Sequence, residues 1–183
     1  MPQRVSYSAP TIVTDRLVLR AITRADFPAL SAIWGDTEAV RFISGKPANE
    51  HESWMRLLRY GGLWPLLGFG YWGVEEKATG AYIGEMGLAD FHRPYELPVS
   101  GVPEAGWILA PQAQGKGYAR EALGACLAWA DANLMDDRTI AIITPENTAS
   151  IRLAEQCGYR RDGDVDANGT LLGLWVRNRR AVS

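Results

Sequence analysis

Between Pro103 and Ala130 the hydrophobic period of the chain changes from two to 3.6, across two glycines set one residue apart. Residues 103–110 (PEAGWILA) read as a strand stopped by Pro111. Ala119, Ala122, Leu123, Cys126, Leu127 and Ala130 then follow the spacing of an amphipathic helix. The junction Gln112-Ala113-Gln114-Gly115-Lys116-Gly117-Tyr118-Ala119-Arg120 therefore brings a backbone free of bulk to a helix N-terminus. The first-turn N–H groups have no partner within the helix and lie at the positive end of its dipole, so the junction can hold an anion. Lys116 and Arg120 add cations beside it, which suits a pyrophosphate. The same glycines also serve a plain tight turn. There is no G-x-x-x-x-G-K-[ST], position 120 is Arg where a dinucleotide fingerprint needs Gly or Ala, and Thr144-Pro145 stands where an acidic ribose ligand belongs. Nicotinamide binding is thereby excluded; phosphate binding is not.

The rest of the chain alternates strands and helices. Strands are expected at 16–22, 71–75, 81–91, 103–110, 138–144, 159–164 and 170–177. Thr23, with Asp26 three residues on, caps a helix carrying Phe27, Leu30, Ile33 and Trp34, and further helices are expected at 37–42 and 50–60. Asn147 caps a last helix that runs to Cys157, with Gly158 as its C-cap. The stretch 61–70, rich in Gly and containing Pro65, is expected to be a loop, as is 92–101. Such an order implies one α/β domain on a mixed sheet, with no internal repeat or linker to divide it.

Nineteen basic and twenty-one acidic residues leave a formal charge of −2, too little field to gather nucleic acid or an anionic membrane. The longest apolar stretch, 61–74, is shorter than the roughly 20 residues of a membrane span and is broken by Pro65. The N-terminus lacks the apolar core of a secretion signal. Cys126 and Cys157 have no metal-ligand spacing and fall in stretches read as helical, so reduced thiols, a cytoplasmic setting and no metal are expected.

Several motifs in register carry a family resemblance. Gln112-x-x-Gly115-x-Gly117 follows a strand reading Glu104-Ala105-Gly106-Trp107-Ile108-Leu109 and precedes Asn147-x-x-Ser150 and Cys157-Gly158-Tyr159. Together these resemble the GNAT acyl-CoA-dependent N-acetyltransferases. The opening Thr14-Asp15-Arg16-Leu17-Val18-Leu19-Arg20 resembles the subgroup of ribosomal-protein N-terminal acetyltransferases. The likeness runs from about residue 14 to 177, and 1–13 and 179–183 read as an extension and a tail outside a single domain at 14–178. It implies a single-domain α/β GNAT fold: a mixed, mostly antiparallel sheet of about six or seven strands, splayed at the cofactor site and flanked by about four or five helices. It further implies that acetyl-CoA donates the acyl group. The free edge of Trp107, Ile108 and Leu109 would pair with its pantetheine arm, and Gln114, Gly115, Lys116, Gly117, Tyr118, Ala119 and Arg120 would wrap its pyrophosphate. Asn147 would bond the pantetheine region, and Ser150 would sit near the sulfur.

Acyl transfer to an amine needs a neutral nucleophile, and the carboxylates are the available bases. Glu104 alternates with Gly106 and Ile108 on the cofactor strand, and Glu85 lies mid-strand between small residues that leave room for a ligand. Either also serves as a solvated or salt-bridged strand residue. Asp90 and His92 are weaker choices. Many members of the family place a Tyr acid four residues after the Ser, where this chain has Ala154; Ser150 is the substitute the resemblance implies, with Tyr159 a remote alternative. Cys126 and Cys157 read as core, so no acyl-enzyme is expected.

The acceptor wall is expected between about 42 and 101, with Trp54, Trp64, Tyr71, Trp72, Phe91 and Tyr95 as lining or core residues. Glu85, Asp90, Glu96 and Glu104 are expected to make its mouth acidic, suiting a cationic amine. The partners implied are acetyl-CoA and an amine, whether a peptide N-terminus, an amino acid, a polyamine or an aminoglycoside, in a monomer or a homodimer. Because Ala154 replaces the usual acid, a catalytically silent acyl-CoA-binding or regulatory domain is the alternative reading.

Overall fold

Leu17 and Leu19 are fully buried while Val18 and Arg20 are half-exposed, so the alternation near the N-terminus gives a strand with one face on the core, β2 (Leu17–Arg20). A two-residue strand, β1 (Ile12–Val13), pairs with it. In this computed structural model, which describes residues 8–96 and 101–179, the sheet is completed by β3 (Tyr71–Glu76), β4 (Tyr82–Ala89), β5 (Glu104–Leu109), β6 (Arg138–Ile143), β7 (Arg160–Asp166) and β8 (Leu171–Asn178). Residues 1–7 of the expected extension at 1–13, 97–100 of the expected loop at 92–101 and 180–183 of the expected tail at 179–183 lie outside the described residues. The strand order is β1-β2-β3-β4-β5-β6-β8-β7, antiparallel except between β5 and β6. The sheet thus has eight strands rather than six or seven, because β1 is too short for periodicity to reveal.

Five helices flank it: α1 (Phe27–Trp34), α2 (Thr37–Val40), α3 (Glu50–Leu67), α4 (Tyr118–Asn133) and α5 (Thr148–Gln156). The carboxylate of Asp26 accepts from the Thr23 N–H at 2.8 Å and its hydroxyl at 3.0 Å, the interaction anticipated for the entry to α1. Helix α3 overturns the loop expected at 61–70, since it continues through Pro65. A proline there removes one backbone hydrogen bond of the helix and crowds the preceding turn, a cost that burial of Leu63 and Trp64 outweighs. The Trp64 indole also donates to the Tyr71 carbonyl at 3.0 Å.

One face of the sheet packs Met86 and Leu88 against Leu123, Cys126 and Leu127 of α4. The opposite face packs Ile108 and Ala89 against Leu30 and Ile33 of α1 and Leu57 and Leu63 of α3. Both cysteines are free and buried, and burial holds the Cys126 thiol far above its ordinary range, as core packing requires. A buried ion pair, Arg177 to Asp131, ties β8 to α4. Among the described residues no helix is long and apolar enough to cross a membrane.

The feature that positions the site is the junction of β5 and β6. These parallel strands share one register pair, Glu104 with Ile140, reinforced by the Ile140 N–H donating to the Pro103 carbonyl at 3.0 Å. From Ala105 onward β5 is paired only with β4, and the sheet opens into a V.

Candidate functional site

A side-chain hydrogen bond spans the open V. Trp107 of β5 donates its indole N–H to Ser150 Oγ at 3.1 Å, and Ser150 is set at the start of α5 by the Asn147 side-chain oxygen, which accepts the Ser150 N–H at 3.1 Å. An indole N–H can only donate, so Ser150 accepts it and its own O–H remains available to donate elsewhere. Two recesses meet there, sharing Phe42, Ile43, Trp107, Ile108, Asn147 and Ser150. The Thr144 hydroxyl donates to the Phe42 carbonyl at 3.0 Å and holds the segment after α2 over this junction.

The larger recess, a groove of about 640 Å³, runs from that junction along β5 to the start of α4. Trp107, Ile108, Leu109, Gln114, Gly115, Gly117, Tyr118, Ala119, Arg120, Asn147 and Ser150 all line it, so most of the cofactor-binding residues expected from sequence come together. Lys116 does not line it; its carbonyl accepts from Arg16 Nη1 at 2.9 Å and its ammonium lies 6.0 Å from the Tyr118 ring. Gly115 and Gly117 both have left-handed backbone, φ +73 and +80, which only glycine adopts without strain. The Gln114 amide donates to the Leu109 carbonyl at 3.1 Å and closes the end of β5.

Arg16 explains the N-terminal motif. Its Nε donates to Glu121 at 2.7 Å, its guanidinium lies 4.6 Å from the Tyr118 ring centroid, and Thr14 Oγ1 donates to the other Glu121 oxygen at 2.6 Å. The Tyr118 hydroxyl in turn donates to Glu76 at 2.6 Å. The glycine loop is thus clamped from the sheet edge. Arg41 and Arg152 also line the groove, where Glu38 is the one acid. Sequence reading missed both, because an arginine on a helix ordinarily signals a solvated face.

The smaller recess, a cavity of about 320 Å³, lies between β5, α3 and the segment after β4. Tyr71, Phe91 and Tyr95 line it as the sequence allowed, whereas Trp64 and Trp72 pack edge-on with Trp129 in the core and Trp54 packs on Phe27. Tyr71 stacks on Tyr60 at 4.7 Å, and burial, with the Tyr60 and Glu104 side chains nearby, raises its hydroxyl pKa well above the ordinary value.

The two candidate bases separate. Glu85 is fully buried, accepts hydrogen bonds from the Trp34 indole and, at 2.5 Å, from the Tyr82 hydroxyl, and lines neither recess. Burial raises its pKa, and the donors and Arg56 only partly counter this. The glycines beside it leave no room for a ligand: a Cβ at Gly84 would meet the Ile108 carbonyl at 2.2 Å, and one at Gly87 the Gly70 carbonyl at 2.2 Å. Glu104 does line the cavity, with its carboxylate bonded by Arg93, whose Nε donates at 3.0 Å. Burial works against the charge on Arg93, but this partner outweighs it and keeps the guanidinium protonated.

The acidic mouth expected from sequence is corrected. Arg56, Arg59 and Arg93 line the cavity against Glu104 alone, while Asp90 and Glu96 face a neighbouring recess. Tyr159 is buried, its hydroxyl paired with Thr139 at 2.8 Å, and Ala154 is buried in the core, so neither puts an acid in the groove.

The profile of the acetyltransferase (GNAT) domain matches residues 16–160, from β2 through α5. The chain belongs to the GNAT acetyltransferase family. Its GNAT relatives span nearly the same length. The uncharacterized protein YkkB of Bacillus subtilis is 31% identical over 152 residues, covering 80% of this chain and 83% of YkkB. An acetyltransferase structure from Agrobacterium tumefaciens superposes with a TM-score of 0.80 at 26% identity, covering 97% and 99% of the two chains. A spermidine N-acetyltransferase from Vibrio cholerae, solved with CoA and spermine, shares the GNAT fold at a TM-score of 0.71 and 19% identity, covering 91% and 97%.

Proposed function

We propose that the protein is an N-acetyltransferase that moves an acetyl group from acetyl-CoA to an amine by direct attack in a ternary complex. The observation that carries this reading is the meeting of the long groove with the cavity at Trp107 and Ser150, beside a strand edge that lacks a partner. The groove's chemistry fits the donor along its length. Its left-handed glycines and the first turn of α4 offer backbone N–H groups to a pyrophosphate, with Arg120 and Arg152 as cations. The free edge of β5 offers N–H and carbonyl groups to an extended amide-bearing arm, as an added strand would. The Vibrio neighbour carries CoA on the same fold.

Acetyl-CoA supplies an activated acyl group and a thiol leaving group whose ordinary pKa is near 8.5. Ser150 donates its O–H toward the departing sulfur, the role left open by Ala154. Glu104, the one carboxylate lining the cavity, takes the amine's proton directly or through water. That demand is modest for an α-amine, with a pKa of about 7.7–8.0, and heavier for a lysine near 10.4. The free thiols and the composition agree with a cytoplasmic setting.

Calorimetric titration with acetyl-CoA, with desulfo-CoA, dephospho-CoA and ATP as controls, followed by thiol release with an amine panel, tests the reading. Micromolar binding with thiol release supports transfer. Binding without release from any amine leaves a silent acyl-CoA-binding domain, and no binding overturns both.

A further inference from the structure

The cavity beside Ser150 has the wrong charge for a polycation. Arg56 and Arg59 stand one turn apart on α3, and among the described residues neither has a carboxylate within 4.0 Å. The only acid on the lining, Glu104, is already bonded to Arg93, and Glu85 is sealed behind Trp34 and Tyr82. The Arg56 guanidinium lies 3.3 Å from the Trp34 ring centroid, and its Nε has no hydrogen-bond partner. Stacking fixes such a fork in place and leaves its in-plane N–H groups for an incoming anion, the arrangement that recognises carboxylates. Arg59 extends it beside Tyr60 and Phe91. The cavity thus carries an excess of guanidinium, with Arg56 and Arg59 free of carboxylate partners on the α3 side and the Arg93-bonded Glu104 on β5, a charge pattern that suits an amine bearing a carboxylate. Its volume of about 320 Å³ suits a small molecule.

We propose that the acceptor is a free amino acid, its carboxylate held by Arg56 and Arg59 and its amine directed toward Glu104 and Ser150. This rests on the acetyl-transfer reading above. The step balances without a further reagent: the nitrogen–carbon bond forms as the carbon–sulfur bond breaks, the electron pair leaves with sulfur, and the proton lost by nitrogen ends on the thiol.

The test compares thiol release from acetyl-CoA with the twenty amino acids, their carboxamides, tripeptides with an amidated C-terminus, and spermidine. At least one amino acid is expected to exceed its carboxamide tenfold or more in kcat/KM. Arg59→Gln and Arg56→Gln are each expected to bring that ratio toward one through the acceptor KM. Arg59 is exposed, so its variant serves if Arg56→Gln, which removes the stack on Trp34, fails to fold. Equal or faster turnover of carboxamides, peptides or spermidine overturns the inference and leaves acetyl transfer standing. If no amine is acetylated, calorimetry of the CoA-loaded protein with the same amino acids separates the two readings. Binding that Arg59→Gln weakens at least tenfold keeps the amino-acid site and sinks transfer; absence of binding sinks the site as well.

Discussion

The groove wall between Leu109 and Arg120 and the cavity wall on α3 meet at Ser150, yet they are built from different material. The groove wall is largely backbone: two left-handed glycines, a helix start and a strand edge with no strand partner among the described residues, held by Arg16 behind the loop and by the hydrogen bond from Tyr118 to Glu76. The cavity wall is side chain: guanidinium groups stacked on aromatic rings, with one carboxylate facing them. On the proposed reading, a backbone wall recognises what every acyl-CoA shares and resists change except where glycine is essential. A side-chain wall is more readily altered by single substitutions, and on the same proposed reading specificity for the second substrate is set there.

The largest effect that would break this contrast is expected at Gly117. Replacement by Glu puts a side chain on left-handed backbone, a strain of about 1–3 kcal/mol, and its Cβ would lie 3.4 Å from Arg16 Nη2, so it also disrupts the clamp that shapes the loop. At 1.4 kcal/mol per tenfold, the Kd for acetyl-CoA should rise about a hundredfold by calorimetry. Unchanged affinity would remove the glycine loop from the donor site. Glu104→Gln should lower kcat about tenfold near pH 6 and progressively less toward pH 9, where the amine loses its proton unaided. A pH–rate profile parallel to that of the unchanged protein would deny Glu104 a role in proton transfer.

Arg16→Ala sharpens the comparison by loosening the clamp without touching the groove's surface. The KM for acetyl-CoA should rise roughly threefold to tenfold with the acceptor KM little changed, in line with the loss of one or two charge-assisted hydrogen bonds. An equal rise in both constants would mean that the two walls are not independent. The smallest effect concerns stability. Folding raises the Glu85 pKa above its ordinary 4.5, so the folded chain holds the proton more tightly and the protein loses stability as pH climbs above that value. Glu85→Gln removes the loss, and its melting temperature should gain on that of the unchanged protein as pH rises above 4.5, by about 2–4 °C for each kcal/mol. A difference that does not vary with pH would show Glu85 to be equally protonated in both states.

What could be read in advance follows the same division. The groove loop is contiguous in sequence, and its glycine spacing, its strand and its helix are local signals, so the residues at 114–120 that line the groove, all but Lys116, could be named before any fold was known. Periodicity revealed seven strands and five helices but missed β1 and stopped α3 short at a glycine pair and a proline that tertiary burial overrides. The cavity was far less legible. Arg56, Arg59 and Arg93 come from two separate segments, and nothing local distinguishes them from surface charge. The acids near them drew attention instead, although Glu85 is sealed and Asp90 turns to another recess. Arg16 belongs to a motif whose presence was plain, but its partner Glu121 lies 105 residues away, so the motif's purpose was not.

The single residue pair between β5 and β6 has a mechanical meaning. As a layer of strands the molecule is two half-sheets, β1 to β5 and β6 to β8, hinged at Glu104 and Ile140 and held together otherwise by the helices across their faces. An extended ligand lying along β5 would act as a splint across that hinge. Amides at 105–109 that face the opening should then exchange with deuterium in the free protein and fall silent when the groove is filled, so that arrival of the proposed donor stiffens the scaffold and its departure releases it.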